Sequence, residues 1–224
     1  MLTDWNKCTK KERFLIYVAS TLLILSISSV QAEEPAWQGQ PFSATQFSFE
    51  KVQPDKKTKS KVYISADGVR MESEQSPDTP IKNVISIFSF KNEQSWLIDP
   101  LQKVYVLMAG GEVADDDGGI GGIFSDKPCQ GYVASKKIGT EKYQGRNTQK
   151  WACKSDKKDI VVIQHYDPKL HAVIREDVDG EVTELHNIKP GKQNIKLFQP
   201  PKDYRKVSMV EMMTGYMKLP KYNE

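Results

Sequence analysis

The feature that most constrains this chain is a repeated succession of short β-prone runs separated by tight turns. Asp67-Gly68 and Asp179-Gly180 each lie between two such runs, and an Asp-Gly pair in that position is a strong signal for a two-residue hairpin. The runs cover residues 42–51, 61–65, 69–74, 84–90, 95–99, 103–108, 131–134, 149–153, 159–166, 172–176 and 181–188. Because strands joined by short turns pair in antiparallel fashion, the pattern predicts an antiparallel sheet or barrel instead of βαβ units.

Length and composition limit the classes of protein that remain. The chain has 224 residues, of which 38% are hydrophobic and 27% charged, which is enough apolar material for a folded core. Its 32 basic and 29 acidic residues leave a formal net charge of +3, and a dedicated nucleic-acid binder usually carries a denser basic stripe. We therefore expect a folded protein whose partners do not include nucleic acid.

The first 32 residues have the three parts of a secretory signal peptide. Lysines and an arginine precede an apolar stretch that extends from Phe14 to Ile27, and small residues then lead to Ala32. We expect cleavage after Ala32 and a periplasmic mature chain that begins at Glu33. An uncleaved amino-terminal anchor is the alternative, but the apolar stretch is short for a full membrane span.

Two cysteines, Cys129 and Cys153, remain after the expected cleavage. In an oxidising compartment a disulfide is the expected state of two such cysteines. A redox or metal pair is the alternative, although the sequence has neither a C-x-x-C motif nor a histidine flanking either cysteine.

Two segments depart from the strand pattern. Residues 109–128 are rich in glycine and contain the consecutive aspartates Asp115–Asp117, which predicts a solvated insert. A calcium loop is the alternative, but no glutamate follows at the twelfth position of an EF-hand loop. Residues 207–224 carry four methionines and are expected to be a tail or helix, with the helical signal at residues 207–217. Such a helix could pack on the sheet or serve as a lid or docking element.

Motifs for catalysis are missing or weak. The sequence has no G-x-S-x-G elbow and no H-E-x-x-H motif. His165 and His171 flank a predicted turn, and Asp167 or Glu176 could complete a metal site there. Surface histidines beside a hairpin turn are the alternative interpretation. We expect a protein that is not an enzyme and that needs no cofactor or metal.

Four segments together carry a resemblance to a known family. Residues 61–72 (KVYISADGVRME) and 95–105 (SWLIDPLQKVY) are similar to two of its hairpins. Residues 138–153 supply a third match, and residues 173–204 a fourth, which ends in an L-F-x-x-P-x-x-Y pattern. In this order and spacing the set resembles the LolA-like superfamily of periplasmic carriers, which includes the lipoprotein carrier LolA, LppX-type lipid-binding proteins and the RseB domain. The insert at 109–128 and the tail are extra to that pattern.

The resemblance implies a mainly β (α+β) fold, a curved and incomplete antiparallel β-barrel over residues 33–206. A few helices would cover an apolar concave face that holds acyl chains. The residues expected to line that cavity are Phe47, Phe49, Tyr63, Val69, Met71, Ile85, Ile87, Trp96 and Ile98. The alternative for each of them is that the side chain packs in an ordinary hydrophobic core that holds no ligand.

The resemblance also implies two possible roles in the cell envelope. The first is a non-enzymatic carrier or chaperone for a lipid or an acylated lipoprotein. The second, as in RseB-type proteins, is a protein-binding or sensory module with a membrane-bound partner protein.

Overall fold

The strands follow the predicted hairpins closely. The computed structural model describes residues 37–74, 83–108, 125–155 and 160–217; the predicted signal peptide and residues 109–124 of the predicted insert lie outside them. Within those ranges the strands are β1 (Phe42–Glu50), β2 (Thr58–Ser65), β3 (Gly68–Ser73), β4 (Ile85–Ser89), β5 (Gln94–Asp99), β6 (Val104–Met108), β7 (Ala134–Tyr143), β8 (Arg146–Lys154), β9 (Val161–Asp167), β10 (Ala172–Val178), β11 (Glu181–Pro190) and β12 (Arg205–Lys206). The same ranges contain a 3-10 helix, η1 (Ile195–Phe198), and an α-helix, α1 (Met209–Met217).

All twelve of these strands belong to one sheet, in the order β12-β6-β5-β4-β3-β2-β1-β11-β10-β9-β8-β7. Neighbouring strands are antiparallel except for β12, which pairs with β6 in parallel. Within the described residues the edge strands of this sheet are β12 and β7, and the sheet does not close between them. The predicted architecture, a mainly β fold with an incomplete antiparallel barrel, is therefore confirmed.

The two Asp-Gly signals form hairpins, with one difference in register. Asp179 and Gly180 have φ angles of 50° and 92° and are the two loop residues between Val178 and Glu181, as expected for a type I′ turn. At the other hairpin Gly68 pairs with Ser65, so the two loop residues lie one position earlier than predicted. A Cβ at Gly68 would lie 2.1 Å from the carbonyl oxygen of Phe88, so this glycine is required by a close backbone approach.

The sheet is strongly curved at its β7 end. The hydroxyl of Tyr143 on β7 donates a hydrogen bond of 2.6 Å to the carboxylate of Glu184 on β11. Four strand spacings separate these strands, which amounts to about 19 Å in a flat sheet. Because two side chains cannot span that distance, strands β7 to β11 must curl towards one another.

The register divides the residues of β2 to β6 into two faces, because cross-strand partners lie on the same side of a sheet. One row consists of Val62, Met71, Ser86, Leu97 and Val106. We call this side the helix face, because α1 packs on it. The adjacent row consists of Tyr63, Arg70, Ile87, Trp96 and Leu107. We call that side the strap face, because residues 195–204, the strap, cover it.

Helix α1 rests on the helix face near the β12 edge. Met212 is 1% exposed and belongs to one core cluster with Val104 and Val106 of β6. The hydroxyl of Ser208 accepts a hydrogen bond of 3.1 Å from the backbone N–H of Glu211 and caps the first turn. Within residues 207–217 the structure shows a helix packed on the sheet, one of the roles considered for the methionine-rich tail; residues 218–224 of that tail lie outside the described residues.

The largest core cluster joins the amino-terminal residues to both halves of the sheet. Trp37 is 3% exposed and belongs to one cluster with Ile64 of β2 and Leu170 of the β9–β10 turn. Its ring stacks on that of Phe90, with centroids 6.4 Å apart. The backbone N–H of Gln40 donates a hydrogen bond of 2.8 Å to the carbonyl oxygen of Leu170. The packing therefore holds the β9–β10 turn close to β2, three strands away in the sheet.

Cys129 and Cys153 form the predicted disulfide, with Cα atoms 5.3 Å apart. Gln164 is fully buried beside it. The Oε1 atom of Gln164 accepts a hydrogen bond of 2.7 Å from the N–H of Cys129, and its Nε2 donates one of 2.7 Å to Glu176. The disulfide and these hydrogen bonds hold the segment that precedes β7 against β8, β9 and β10.

Candidate functional site

The strap is fixed to the strap face by one polar and one apolar anchor. Arg70 of β3 donates a hydrogen bond of 3.2 Å from Nη1 to the carbonyl oxygen of Leu197. Phe198 is 4% exposed and packs in one cluster with Ile87 of β4 and Ile98 of β5. After Phe198 the chain continues through two consecutive prolines, which restrict its backbone, and then reaches β12.

A cavity of about 500 Å³ lies between the strap and strands β4 to β6. Typical small-molecule sites occupy about 300–1,000 Å³, so the cavity is of ordinary ligand size. Its apolar wall consists of Trp96, Tyr105, Ile195, Phe198, Pro200, Pro201 and Tyr204. Its polar residues are Asp67, Ser89, Lys91, Asn92, Gln199 and Lys202. Four aromatic residues thus line a site that also has polar groups.

The lining of the cavity includes three charged residues, of which the two lysines lie at the exposed rim. Lys91 and Lys202 are exposed, whereas Asp67 is half-buried and accepts a hydrogen bond of 3.3 Å from the hydroxyl of Ser65. Two lysines against one aspartate make the rim positive by one unit. An apolar wall with a positive rim can bind and orient an amphipathic molecule, with its apolar part inside and its polar end in water.

Five of the nine residues predicted to line a lipid cavity belong to the core cluster that contains Phe198. They are Tyr63, Ile85, Ile87, Trp96 and Ile98, all in one cluster on the strap face. Trp96 lines the cavity itself, whereas Ile87 and Ile98 are 2% and 0% exposed and pack against Phe198. For these five residues the lipid-binding role stays a prediction.

The other four predicted residues lie elsewhere. Val69 and Met71 lie on the helix face and pack in the largest core cluster. Phe47 and Phe49 lie on β1, where Nζ of Lys57 is 4.4 Å from the ring centroid of Phe49. The nine residues therefore occupy three separate places, because strand alternation put them on different faces and different strands.

A polar cluster ties together the curved end of the sheet. The carboxylate of Glu184 accepts hydrogen bonds of 2.6 Å from Tyr143 and 2.7 Å from Arg175, and Nε2 of His186 lies 2.7 Å from its other oxygen. Burial raises the pKa of Glu184, but the hydrogen bonds from Tyr143 and His186 outweigh it and hold this pKa below its ordinary value. Burial and the bond to Glu184 also raise the pKa of Tyr143. With its oxygens occupied by donors from β7, β10 and β11, the carboxylate acts as a structural tie.

The predicted metal candidates are not brought together. Nδ1 of His165 lies 2.9 Å from a carboxylate oxygen of Glu141 but is not aligned for a hydrogen bond. His171 is exposed in the β9–β10 turn, and Asp167 forms an ion pair with Arg146. In the described part of the chain, no group of three or more histidine, cysteine, aspartate and glutamate side chains is arranged to hold a metal ion.

Among the residues that line the cavity only Trp96 was predicted from the sequence, and the large side chains that were missed are Tyr105, Ile195, Phe198 and Tyr204. A signal for three of them exists in the strap, which combines aromatic residues with two prolines. That composition alone does not tell which strands the strap will cover.

No protein-family model and no curated protein sequence matches this chain. Solved structures match its fold. An uncharacterized conserved protein from Thermus thermophilus is 12% identical with a TM-score of 0.52, and the match covers 76% of this chain and 91% of that one. At this identity the likeness is one of fold alone.

Two further matches are more distant. The MucA/MucB complex from Pseudomonas aeruginosa gives 11% identity and a TM-score of 0.45, covering 75% of this chain and 58% of that one. A LolA superfamily protein from Nitrosomonas europaea gives 8% identity and a TM-score of 0.34, covering 74% and 93%. Within the structure described here, neither η1 nor α1 is long and apolar enough to cross a membrane.

Proposed function

We propose that this protein is a non-enzymatic carrier of the cell envelope that binds a lipid or an acylated lipoprotein, with an acyl chain held beneath the strap. The observation that supports this is the cavity of about 500 Å³ with four aromatic residues in its lining. Burial of each methylene group contributes about 0.8 kcal/mol, so ten methylenes yield roughly 8 kcal/mol before the costs of binding. The predicted signal peptide is consistent with a role outside the cytoplasm.

The rim of the cavity has features that suit an amphipathic ligand. Ile195 lines the cavity but is 61% exposed, so apolar surface is left in water when no ligand covers it. Lys91 and Lys202 lie at the same rim, where they can contact an anionic or zwitterionic head group. The ligand class that fits both features is a lipid whose acyl chain enters the cavity while its head group stays at the surface.

Native mass spectrometry of gently purified protein, followed by solvent extraction of bound material, tests the proposal directly. The expected result is a mass above that of the polypeptide and a recovered phospholipid or acylated species. Titration with a fluorescent fatty acid provides an independent readout. If the purified protein has the mass of the polypeptide alone and also fails to bind the fluorescent fatty acid, the proposed carrier function is wrong.

A pair of matched variants locates the binding site. Ile195→Asp places a charge in the cavity wall at a side chain whose exposure makes folding insensitive to the change. Val210→Asp is the control, because Val210 is 72% exposed on α1 and is not part of the cavity. Burial of an isoleucine contributes about 1.5–3 kcal/mol, so Ile195→Asp should weaken binding of the fluorescent fatty acid by roughly tenfold or more. Equal affinities for the two variants would place the ligand elsewhere.

A second candidate function is the binding of a partner protein. The observation that favours it is the long free edge of the sheet at β7, which is separate from the cavity. Retention of the protein by a partner in crosslinked cells, together with an empty cavity, would favour this role over lipid transport.

A further inference from the structure

The two edge strands of the sheet differ in length and in exposure. At one edge β12 is only two residues long, and the chain turns directly afterwards into α1. At the other edge β7 has ten residues, nine of which are exposed, and within the described residues it pairs with β8 alone. The outer side of β7 therefore presents a row of backbone N–H and C=O groups that no described strand covers. Such an edge is a template for an added strand.

The side chains of β7 restrict which strand can be added. Lys136, Lys137 and Lys142 are exposed along it. The one acidic residue of the strand, Glu141, lies 2.9 Å from Nδ1 of His165, and three lysines against one glutamate leave the strand with a formal charge of +2. A basic strand, including β7 of a second copy, would meet like charges, whereas an acidic strand would meet complementary ones.

An irregularity in β7 provides an apolar contact beside these charges. The register between β7 and β8 shifts between Lys137 and Gly139, and Ile138 at the shift is 46% exposed. Val133, immediately before the strand, is 61% exposed. An incoming strand with β-branched side chains between its acidic residues would cover both.

We propose that the free edge of β7 is a docking site for an extended acidic segment of a partner protein, which adds a thirteenth strand to the sheet. This inference rests on the second of the two proposed functions and does not depend on the cavity. The lysines select the segment by charge, and the backbone groups of β7 supply the hydrogen bonds.

The test uses the purified full chain and a fluorescein-labelled ten-residue peptide of alternating glutamate and threonine, with binding followed by fluorescence anisotropy. The double variant Lys137→Glu, Lys142→Glu should weaken binding about tenfold or more, because two attractive pairs become repulsive. The control Lys189→Glu, Lys192→Glu changes the net charge equally at two exposed lysines outside β7 and should change affinity less than twofold.

A second peptide separates strand addition from simple charge attraction. The same sequence with every backbone nitrogen methylated keeps its charge but cannot donate a backbone hydrogen bond along either edge, so it should lose binding to the unmodified protein. Equal binding of the methylated peptide, equal weakening by both double variants, or no binding at millimolar peptide would each overturn the proposal. Titration of the same variants with the fluorescent fatty acid should give unchanged affinity. Failure of peptide docking at β7 is therefore distinguishable from failure of the carrier function.

Discussion

Removal of one hydroxyl should test whether the curved end of the sheet is held by the Glu184 cluster. In Tyr143→Phe the carboxylate of Glu184 loses the 2.6 Å hydrogen bond that joins β7 to β11, while its contacts with Arg175 and His186 remain. Hydrogen bonds to charged groups contribute about 1.5–3 kcal/mol. Because the two other donors stay in place, we expect a loss at the lower end, about 1.5 kcal/mol in the free energy of unfolding.

Urea denaturation at pH 7, followed by circular dichroism, measures this loss. Tyr63→Phe is the matched control: Tyr63 is also half-buried in the sheet, but its hydroxyl makes no hydrogen bond among the described residues. We expect the control to change the free energy of unfolding by less than about 0.5 kcal/mol. If Tyr143→Phe proved no more destabilising than Tyr63→Phe, the hydrogen bond would not be what holds the curved end together.

Two further predictions concern covalent and pH-dependent stability. Replacement of both Cys129 and Cys153 by serine should lower the free energy of unfolding by about 3.5 kcal/mol, because the chain-entropy model gives this value for a closed loop of roughly 25 residues. Urea denaturation measures the loss, and a loss below about 1 kcal/mol would contradict the prediction. Burial lowers the pKa of His165, with Glu141 and Asp177 opposing and Arg175 and Lys150 reinforcing the shift. The unfolded chain therefore binds a proton before the folded one does, and stability should fall as the pH drops below about 6.5, the ordinary value for histidine. In His165→Gln this part of the pH dependence should disappear from urea midpoints measured between pH 7 and 5, and an unchanged slope would refute the assignment.

The hairpins and the helix were predictable because their signals are local. Asp179-Gly180 specifies a two-residue turn, so the residues on either side can pair directly as strands. The structure has that turn. The methionine-rich stretch forms α1 within two residues of the predicted start. The disulfide was predictable too, since only Cys129 and Cys153 remained to pair after the expected cleavage.

Strand β7 was mostly missed for a physical reason. Nine of its ten residues, ASKKIGTEKY, are exposed, and no alternation of apolar and polar residues marks them as a strand. What makes them a strand is pairing with β8, which supplies backbone hydrogen bonds and needs no buried side chains. A strand of this kind has little signal in its own sequence.

The candidate site was decided by tertiary structure. Alternation shows that Val69 and Met71 share one side of their strand and that Trp96 and Ile98 share one side of theirs. It does not show whether those two sides belong to the same face, because a one-residue change of register would exchange them. The register puts them on opposite faces. The cavity also needs Phe198, which lies about a hundred positions after Trp96 and reaches it only when the strap folds back. The sequence by itself thus determined most of the strands, the local turns and the disulfide, whereas register and chain reversal decided which apolar residues form a binding site.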